Sequence, residues 1–186
     1  MLTVGLLSAT AALSRAPHID RVAIDENLHW FRPDTAIGNQ SSVVFVAPEA
    51  ALLIDANIDS VAPFLRLFLE EHAGGKRWVV VTSHHHGDHT QGLEHFGRDV
   101  VSIATAGQRK RLETTPLTTP DSKPLDARAL PHIALEQGVV LHLGDETIEL
   151  LTPPARNSHT DGDVLVYFRR AGFSTSVITI SLIDFR

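Results

Sequence analysis

The sequence predicts a mixed α/β domain in which strands and helices alternate. Short β-branched segments such as Val79-Val80-Val81 predict buried strands. Upstream of that segment, apolar residues recur with a helical period over residues 61–72. Further on, a Gly144-Asp145 pair between two alternating segments predicts a tight β-hairpin. These three observations favour an α/β (α+β) fold class with sheets and helices packed around a shared core.

The composition is that of an ordinary globular chain. With 186 residues, 43% of them hydrophobic and 20% charged, the chain can bury a sizeable core, and we assign residues 17–186 to a single domain. A formal net charge of −6 argues against a nucleic-acid partner, because phosphates require a basic face. The chain has no cysteine, so any metal must be bound by histidines and carboxylates.

The first 16 residues form a separate segment. Leu2 to Leu13 is apolar, and Ala12-Leu13-Ser14 suits a cleavage site, but no positively charged region precedes it. The apolar stretch is too short to span a bilayer, so no transmembrane segment is predicted. The segment is either a degenerate export signal, which would make the protein periplasmic or secreted, or a frayed leader of a cytoplasmic protein.

The first half predicts strands around one amphipathic helix. Strands are predicted at Val22–Phe31 and Ser41–Val46, with a turn between them at Gly38-Asn39, and a short apolar strand is predicted at Ala51–Asp55. Asp59 or Ser60 would cap the helix, Val61 to His72 would form its apolar face, and Gly74-Gly75 would end it.

Four further elements follow in the middle of the chain. They are a strand at Arg77–Thr82, a short helix at Thr90–Phe96, a strand at Asp99–Ala104, and a helix that opens with the capping box Thr105-x-x-Gln108 and runs through Leu112. The Arg109-Lys110-Arg111 triplet is interpreted as a solvated helix face, with contact to a substrate carboxylate as the alternative. The proline-rich stretch 114–131 borders the substrate cleft or is a surface insert.

A histidine-rich segment follows the strand that ends at Thr82. It has the pattern H-x-H-x-D-H, formed by His84, His86, Asp88 and His89. Imidazole suits Zn²⁺, and imidazole with carboxylate suits a pair of divalent ions. A strand that ends in a tight loop can direct alternate side chains at one point, and Gly87 would permit the turn. A histidine-rich surface loop is the alternative, although it gives no reason for the preceding buried strand.

The segment from Thr82 to Gly92, T-x-H-x-H-x-D-H-x-x-G, resembles the signature of the metallo-β-lactamase fold hydrolases. A later H-T-x-G-D segment resembles the loop of their third metal histidine, here His159. The resemblance implies a four-layer αββα sandwich with a metal site at one edge, in which His159 joins His84 and His86. The alternative for His159 is a lone loop histidine. Asp55 resembles the family's aspartate behind the metal loop, with a helix or loop cap as the alternative.

The resemblance also implies a chemistry. A zinc-dependent hydrolase would attack the carbonyl of a small-molecule lactam, lactone or thioester with a metal-bound hydroxide, and Asp88 would orient the water or act as the base. One alternative is a catalytically weak metal-binding remnant, completed by a partner chain. Another is a non-haem iron oxygenase of the same fold, because histidine and carboxylate also suit iron.

The end of the chain departs from the family pattern. Active members carry an acid or cysteine for the second metal after the third histidine, and that place falls near Ile178, where no acid stands. No histidine follows His159, and Phe173–Arg186 is interpreted as a single buried strand. We therefore expect an incomplete second half, one well-formed zinc site, and a second ion bound weakly or not at all by Asp88 and His89. The exposed C-terminal sheet edge predicts a homodimer.

Overall fold

Two β-sheets and four helices make up the computed structural model, which describes residues 18–34, 40–114, 124–154, 159–175 and 180–182. The first sheet has the strand order β1-β2-β3-β4-β5-β6-β7, and the second has the order β12-β11-β10-β9-β8. The strands of the first sheet are β1 Ile19–Ala23, β2 Leu28–Pro33, β3 Ser42–Val46, β4 Ala50–Ile54, β5 Arg77–Val81, β6 Val100–Thr105 and β7 Ile133–Leu135. Those of the second are β8 Val139–Leu143, β9 Glu146–Leu151, β10 Leu165–Phe168, β11 Phe173–Thr175 and β12 Ile180–Leu182. The helices are α1 Ala62–Ala73, α2 Gly87–Thr90, α3 Leu93–Phe96 and α4 Ala106–Thr114.

The first sheet lies between a layer of helices and the second sheet. Successive side chains of a strand point to opposite faces, and this alternation divides β3 and β4 between two cores. Val44 and Leu53 face α1, where they pack with Leu65. Their neighbours Val43 and Leu52 face the second sheet. This arrangement of helix, sheet and sheet confirms the predicted α/β sandwich.

The outer face of the second sheet carries exposed apolar side chains. Among the described residues, no helix covers it. Val140 and Leu151 are 48% and 40% exposed on this sheet. Dimerisation through its edge stays a prediction. Within the described part of the chain, no helix is long and apolar enough to cross a membrane.

The topology brings several loops to one edge of the first sheet. Strands β4, β5 and β6 are parallel neighbours, so their carboxyl ends meet at that edge, where α/β proteins commonly place their sites. Asp55 follows β4, the histidine segment follows β5, and α4 follows β6. The loop that carries His159 leads into β10 of the second sheet and approaches the same edge, because the amide of Val164 donates to the carbonyl of Ser83.

Two predicted strands are in fact pairs of strands. The single strand predicted at Val22–Phe31 is wrong, because the chain reverses between β1 and β2. The Asp25 carboxylate stabilises this turn by accepting hydrogen bonds from the amides of Asn27 and Leu28. The predicted strand Phe173–Arg186 contains the antiparallel pair β11 and β12, and the rest of it lies outside the described residues, as do the Gly38-Asn39 turn and the leader.

The predicted helices were also partly wrong. The cap of α1 is Val61, which makes no side-chain capping bond, so neither Asp59 nor Ser60 caps the helix. Phe64 is exposed rather than part of the apolar face. The helix predicted at Thr90–Phe96 is two four-residue helices, α2 and α3. The Gly144-Asp145 hairpin between β8 and β9 is confirmed.

Candidate metal centre

The histidine segment alternates between buried and exposed side chains as it leaves β5. His84 is buried and 1% exposed, His86 and Asp88 are exposed, and His89 is buried again. Gly87 begins α2 and is not among the described glycines with positive φ. The turn therefore does not require the left-handed conformation for which a glycine was expected. The direction of each histidine is set instead by the end of β5 and the start of α2.

Asp55 holds this segment from the end of the neighbouring strand. Its carboxylate accepts hydrogen bonds from the amide and the hydroxyl of Ser83, each at 2.7 Å, and from Nδ1 of His89 at 2.7 Å. The residue is buried and has φ 62°, a left-handed conformation that is costly outside glycine. Three charge-assisted hydrogen bonds offset this cost. Asp55 therefore bonds the histidine segment, and no described contact makes it a helix cap.

A second aspartate organises the loop that carries His159. The Asp163 carboxylate accepts hydrogen bonds from the amides of His159 at 2.6 Å and Thr160 at 3.0 Å, and from the Thr160 hydroxyl. The loop is thereby folded back on itself, and the His159 imidazole is directed at the first loop. Its Nε2 lies 3.2 Å from Nδ1 of His86.

Two groups of side chains at this edge can hold a metal ion. In each group the ligand atoms lie within 4.8 Å of one another. One group is His84, His86 and His159, and the other is His84, Asp88 and His89. His84 belongs to both, and its Nδ1 lies 3.1 Å from the Ser83 hydroxyl, which leaves Nε2 to face an ion.

The three histidines fit zinc. Two nitrogens bound to a tetrahedral zinc at about 2.05 Å are separated by about 3.3 Å. The 3.2 Å between His86 Nδ1 and His159 Nε2 corresponds to one edge of such a tetrahedron. The arrangement brings together all five residues predicted as ligands, namely His84, His86, Asp88, His89 and His159. Their role as ligands stays a prediction.

Comparison with solved structures identifies the fold. The chain is similar to a Cronobacter sakazakii metallo-β-lactamase described by a HARLDQ motif, with 22% identity and a TM-score of 0.62 over 87% of this chain and 56% of that one. It is also similar to a subclass B3 metallo-β-lactamase from a soil metagenome library, with 19% identity and a TM-score of 0.60 over 87% of this chain and 60% of that one. A metallo-β-lactamase from Pontibacter korlensis gives 17% identity and a TM-score of 0.65 over 82% of this chain and 68% of that one. The chain has the metallo-β-lactamase fold. No protein-family model and no curated protein matches the sequence.

Within this metallo-β-lactamase fold, the surroundings shift the pKa values of two of the histidines in opposite directions. Burial, followed by the neighbouring His89, lowers the pKa of His84 to about 3, so the ring is neutral and its lone pair is free for a metal. Burial would also lower the pKa of His89, but the Asp55 carboxylate outweighs it and, with Asp88, raises this pKa to about 10. The hydrogen bond with His89 in turn lowers the pKa of Asp88 to about 2.

Three residues at this edge of the metallo-β-lactamase fold were not predicted to have a role there. Ser83 was assigned to the free position of the motif, yet its hydroxyl lies between Asp55 and His84. Asp163 belongs to the H-T-x-G-D segment, where an acid four residues after the histidine is the signal for such a turn. The predicted capping box would have the Gln108 side chain accept a hydrogen bond from the backbone amide of Thr105. The side chain bonds Thr82, Ser83 and Gly162 instead.

Proposed function

We propose that the chain is a zinc-dependent hydrolase that cleaves the carbonyl group of a small lactam, lactone or thioester. The observation that carries the proposal is the convergence of His84, His86 and His159 from two sheets, with ligand atoms within 4.8 Å. Three imidazoles and an open fourth position are the composition of a catalytic zinc site. The chain spans 56–60% of the length of the first three structures it matches.

The residues around the three histidines suit hydrolysis. Bound zinc lowers the pKa of a coordinated water to about 7 and so supplies hydroxide at neutral pH. Asp88 is exposed next to the histidines, and its pKa of about 2 keeps it ionised. Its carboxylate can therefore orient a water molecule, whereas so low a pKa makes it a weak proton acceptor. Because His86 and His159 are exposed, a substrate can approach from solvent.

One ion per chain is the expected stoichiometry. Both candidate groups need His84, and its Nδ1 faces Ser83, so a single nitrogen remains for coordination. The second group would keep only Asp88 and His89 while the three-histidine group is filled. This sharing favours a second candidate function, a metal-binding protein of weak catalytic activity, because two-metal sites bind both the attacking and the leaving oxygen.

A turnover assay separates the two functions. Zinc-loaded protein should hydrolyse at least one member of a panel of chromogenic lactams, lactones and thioesters, and a chelator should abolish the activity. Asp88→Asn should lower kcat by about 100-fold while elemental analysis shows unchanged zinc content. Zinc binding without turnover of any panel member would favour the second function. Turnover that survives both chelation and Asp88→Asn would contradict the proposal, and iron in place of zinc in the purified protein would favour an oxygenase.

A further inference from the structure

Gln108 lies in the first turn of α4 and joins the two loops that carry the histidines. Its side chain is fully buried. Its Oε1 accepts a hydrogen bond from the hydroxyl of Thr82 at 2.7 Å. Its Nε2 lies within hydrogen-bond distance of the carbonyl oxygens of Ser83, at 3.2 Å, and Gly162, at 2.5 Å. One amide group thus contacts the residue that precedes His84 and the loop that follows His159.

The surroundings of Gln108 leave little room for the loops to move. A Cβ at Gly162 would lie 2.8 Å from Oγ1 of Thr105 and 3.3 Å from Cγ of Gln108. The Thr105 hydroxyl donates to the carbonyl of Gly162 at 3.0 Å and accepts from the backbone amide of Gln108 at 3.2 Å. The start of α4 is therefore packed directly on the loop of the third histidine.

From these contacts we infer that Gln108 is a positioning residue that sets the spacing of the two histidine loops. The inference rests on the proposed metal centre, because that centre needs nitrogens from both loops at one point. The direct bond from the Val164 amide to the Ser83 carbonyl also joins the loops. That bond uses the same Ser83 carbonyl but reaches the second loop at Val164, whereas Gln108 reaches it at Gly162 from α4. Loss of the Gln108 amide takes the 2.7 Å acceptor from the buried Thr82 hydroxyl and one of two donors from each of the Ser83 and Gly162 carbonyls. The His159 loop can then shift relative to His86.

Metal titration of Gln108→Met tests this inference, because methionine keeps the length of the side chain and removes the amide. Residues that orient metal ligands typically contribute 10- to 100-fold to metal affinity. We therefore expect zinc affinity to fall by at least about tenfold. We also expect the visible spectrum of the cobalt-substituted protein, which reports ligand geometry, to change. Thr82→Val removes the hydrogen bond to Oε1 and the 3.5 Å contact with the Ile103 carbonyl. It leaves the bonds of the Gln108 Nε2 in place and should produce a smaller change in the same direction.

Gln40→Met is the matched control. Gln40 is also a buried glutamine, and its side-chain amide donates to the side chain of Asn57. The Gln40→Met substitution should lower the melting temperature without changing zinc affinity or the cobalt spectrum. If Gln108→Met does not fold, the affinity of Thr82→Val decides the question.

The possible outcomes separate this inference from the proposed function. Lower affinity and an altered cobalt spectrum in Gln108→Met or Thr82→Val, but not in Gln40→Met, would support the positioning role. Wild-type affinity and spectrum in both variants would overturn that role and leave the metal centre standing. A wild-type protein that binds neither zinc nor cobalt would overturn the metal centre and this inference with it.

Discussion

The candidate metal centre has a buried half and an exposed half that are built in different ways. In the buried half, hydrogen bonds join side chains to each other, because the Asp55 carboxylate bonds both the Ser83 hydroxyl and Nδ1 of His89. In the exposed half, His86 and His159 lie close together at the surface. The described hydrogen bonds that position these two residues involve mainly their own backbone atoms. Asp163 acts on the amide of His159 rather than on its ring.

This contrast predicts that the two halves contribute differently to stability and to metal affinity. Unpairing a buried charge is expensive, so the buried half should contribute to the free energy of unfolding even without a metal. Exposed rings contribute little to that free energy, so the exposed half should affect metal binding more than folding. Variants in each half test this division.

Removing the Asp55 carboxylate should have the largest effect on stability. Asp55→Ala leaves the buried His89 and the Ser83 amide without their acceptor. We expect the free energy of unfolding to fall by about 3 kcal/mol, measured by urea denaturation of metal-free protein. Asp55→Asn tolerates the positive φ and keeps one acceptor oxygen, so it should lose less. Equal stability of Asp55→Ala and the wild type would contradict the account of the buried half.

A methyl group at Gly92 should disturb the same half through the backbone. A Cβ at this position would lie 2.0 Å from the carbonyl oxygen of Ala56, next to Asp55. Gly92→Ala should therefore lower the free energy of unfolding by about 2 kcal/mol. Gly107→Ala is the control, because its nearest neighbour is 3.9 Å away, and alanine in a helix should be neutral or slightly stabilising. Similar denaturation midpoints for the two variants would argue against close packing at Gly92.

The two buried histidines should give the metal-free protein a stability maximum near neutral pH. The pKa of His89 is raised from 6.5 to about 10 in the folded state, so its contribution is complete below pH 6.5 and is lost as the pH rises through about 10. The pKa of His84 is lowered from 6.5 to about 3. Between pH 6.5 and about 3, the unfolded state therefore binds a proton at His84 that the folded state does not bind, so the free energy of unfolding falls as the pH drops below 6.5.

Urea denaturation across this pH range checks both limbs in the presence of a chelator. His89→Gln should remove the alkaline decline, and His84→Gln should reduce the acid decline. An unchanged alkaline limb in His89→Gln would show that the pairing with Asp55 does not stabilise the fold.

Changing Asp163 should affect the exposed half and cost the least stability. Asp163→Asn keeps one acceptor for the amides of His159 and Thr160 and loses the charge. We expect the free energy of unfolding to fall by about 1 kcal/mol, with zinc affinity lowered by about tenfold. Calorimetric titration with zinc measures the second effect. A large loss of stability with unchanged affinity would reverse the proposed division between the halves.

Local sequence predicted the ligand candidates better than the residues that hold them in place. The H-x-H-x-D-H spacing placed four ligand candidates on one turn, because they follow a single strand. Asp55 could be suggested from its place after a strand, but its bonds to Ser83 and His89 depend on β4 and β5 being parallel neighbours. Gln108 gave a misleading signal, because its spacing from Thr105 fits a capping box while the tertiary structure offers its amide three other partners. The split of Val22–Phe31 into two strands was missed because the polar residues Asp25-Glu26-Asn27, which form the turn, were included in one long strand.

His159 is proposed to complete a metal site with His84 and His86, and zinc binding to monodisperse protein is the decisive test of this claim. Elemental analysis after equilibration with zinc should find one ion per wild-type chain and a large loss of bound zinc in His159→Ala. His142→Ala, which removes a histidine on β8, should bind zinc like the wild type. Wild-type zinc content in His159→Ala would contradict the claim.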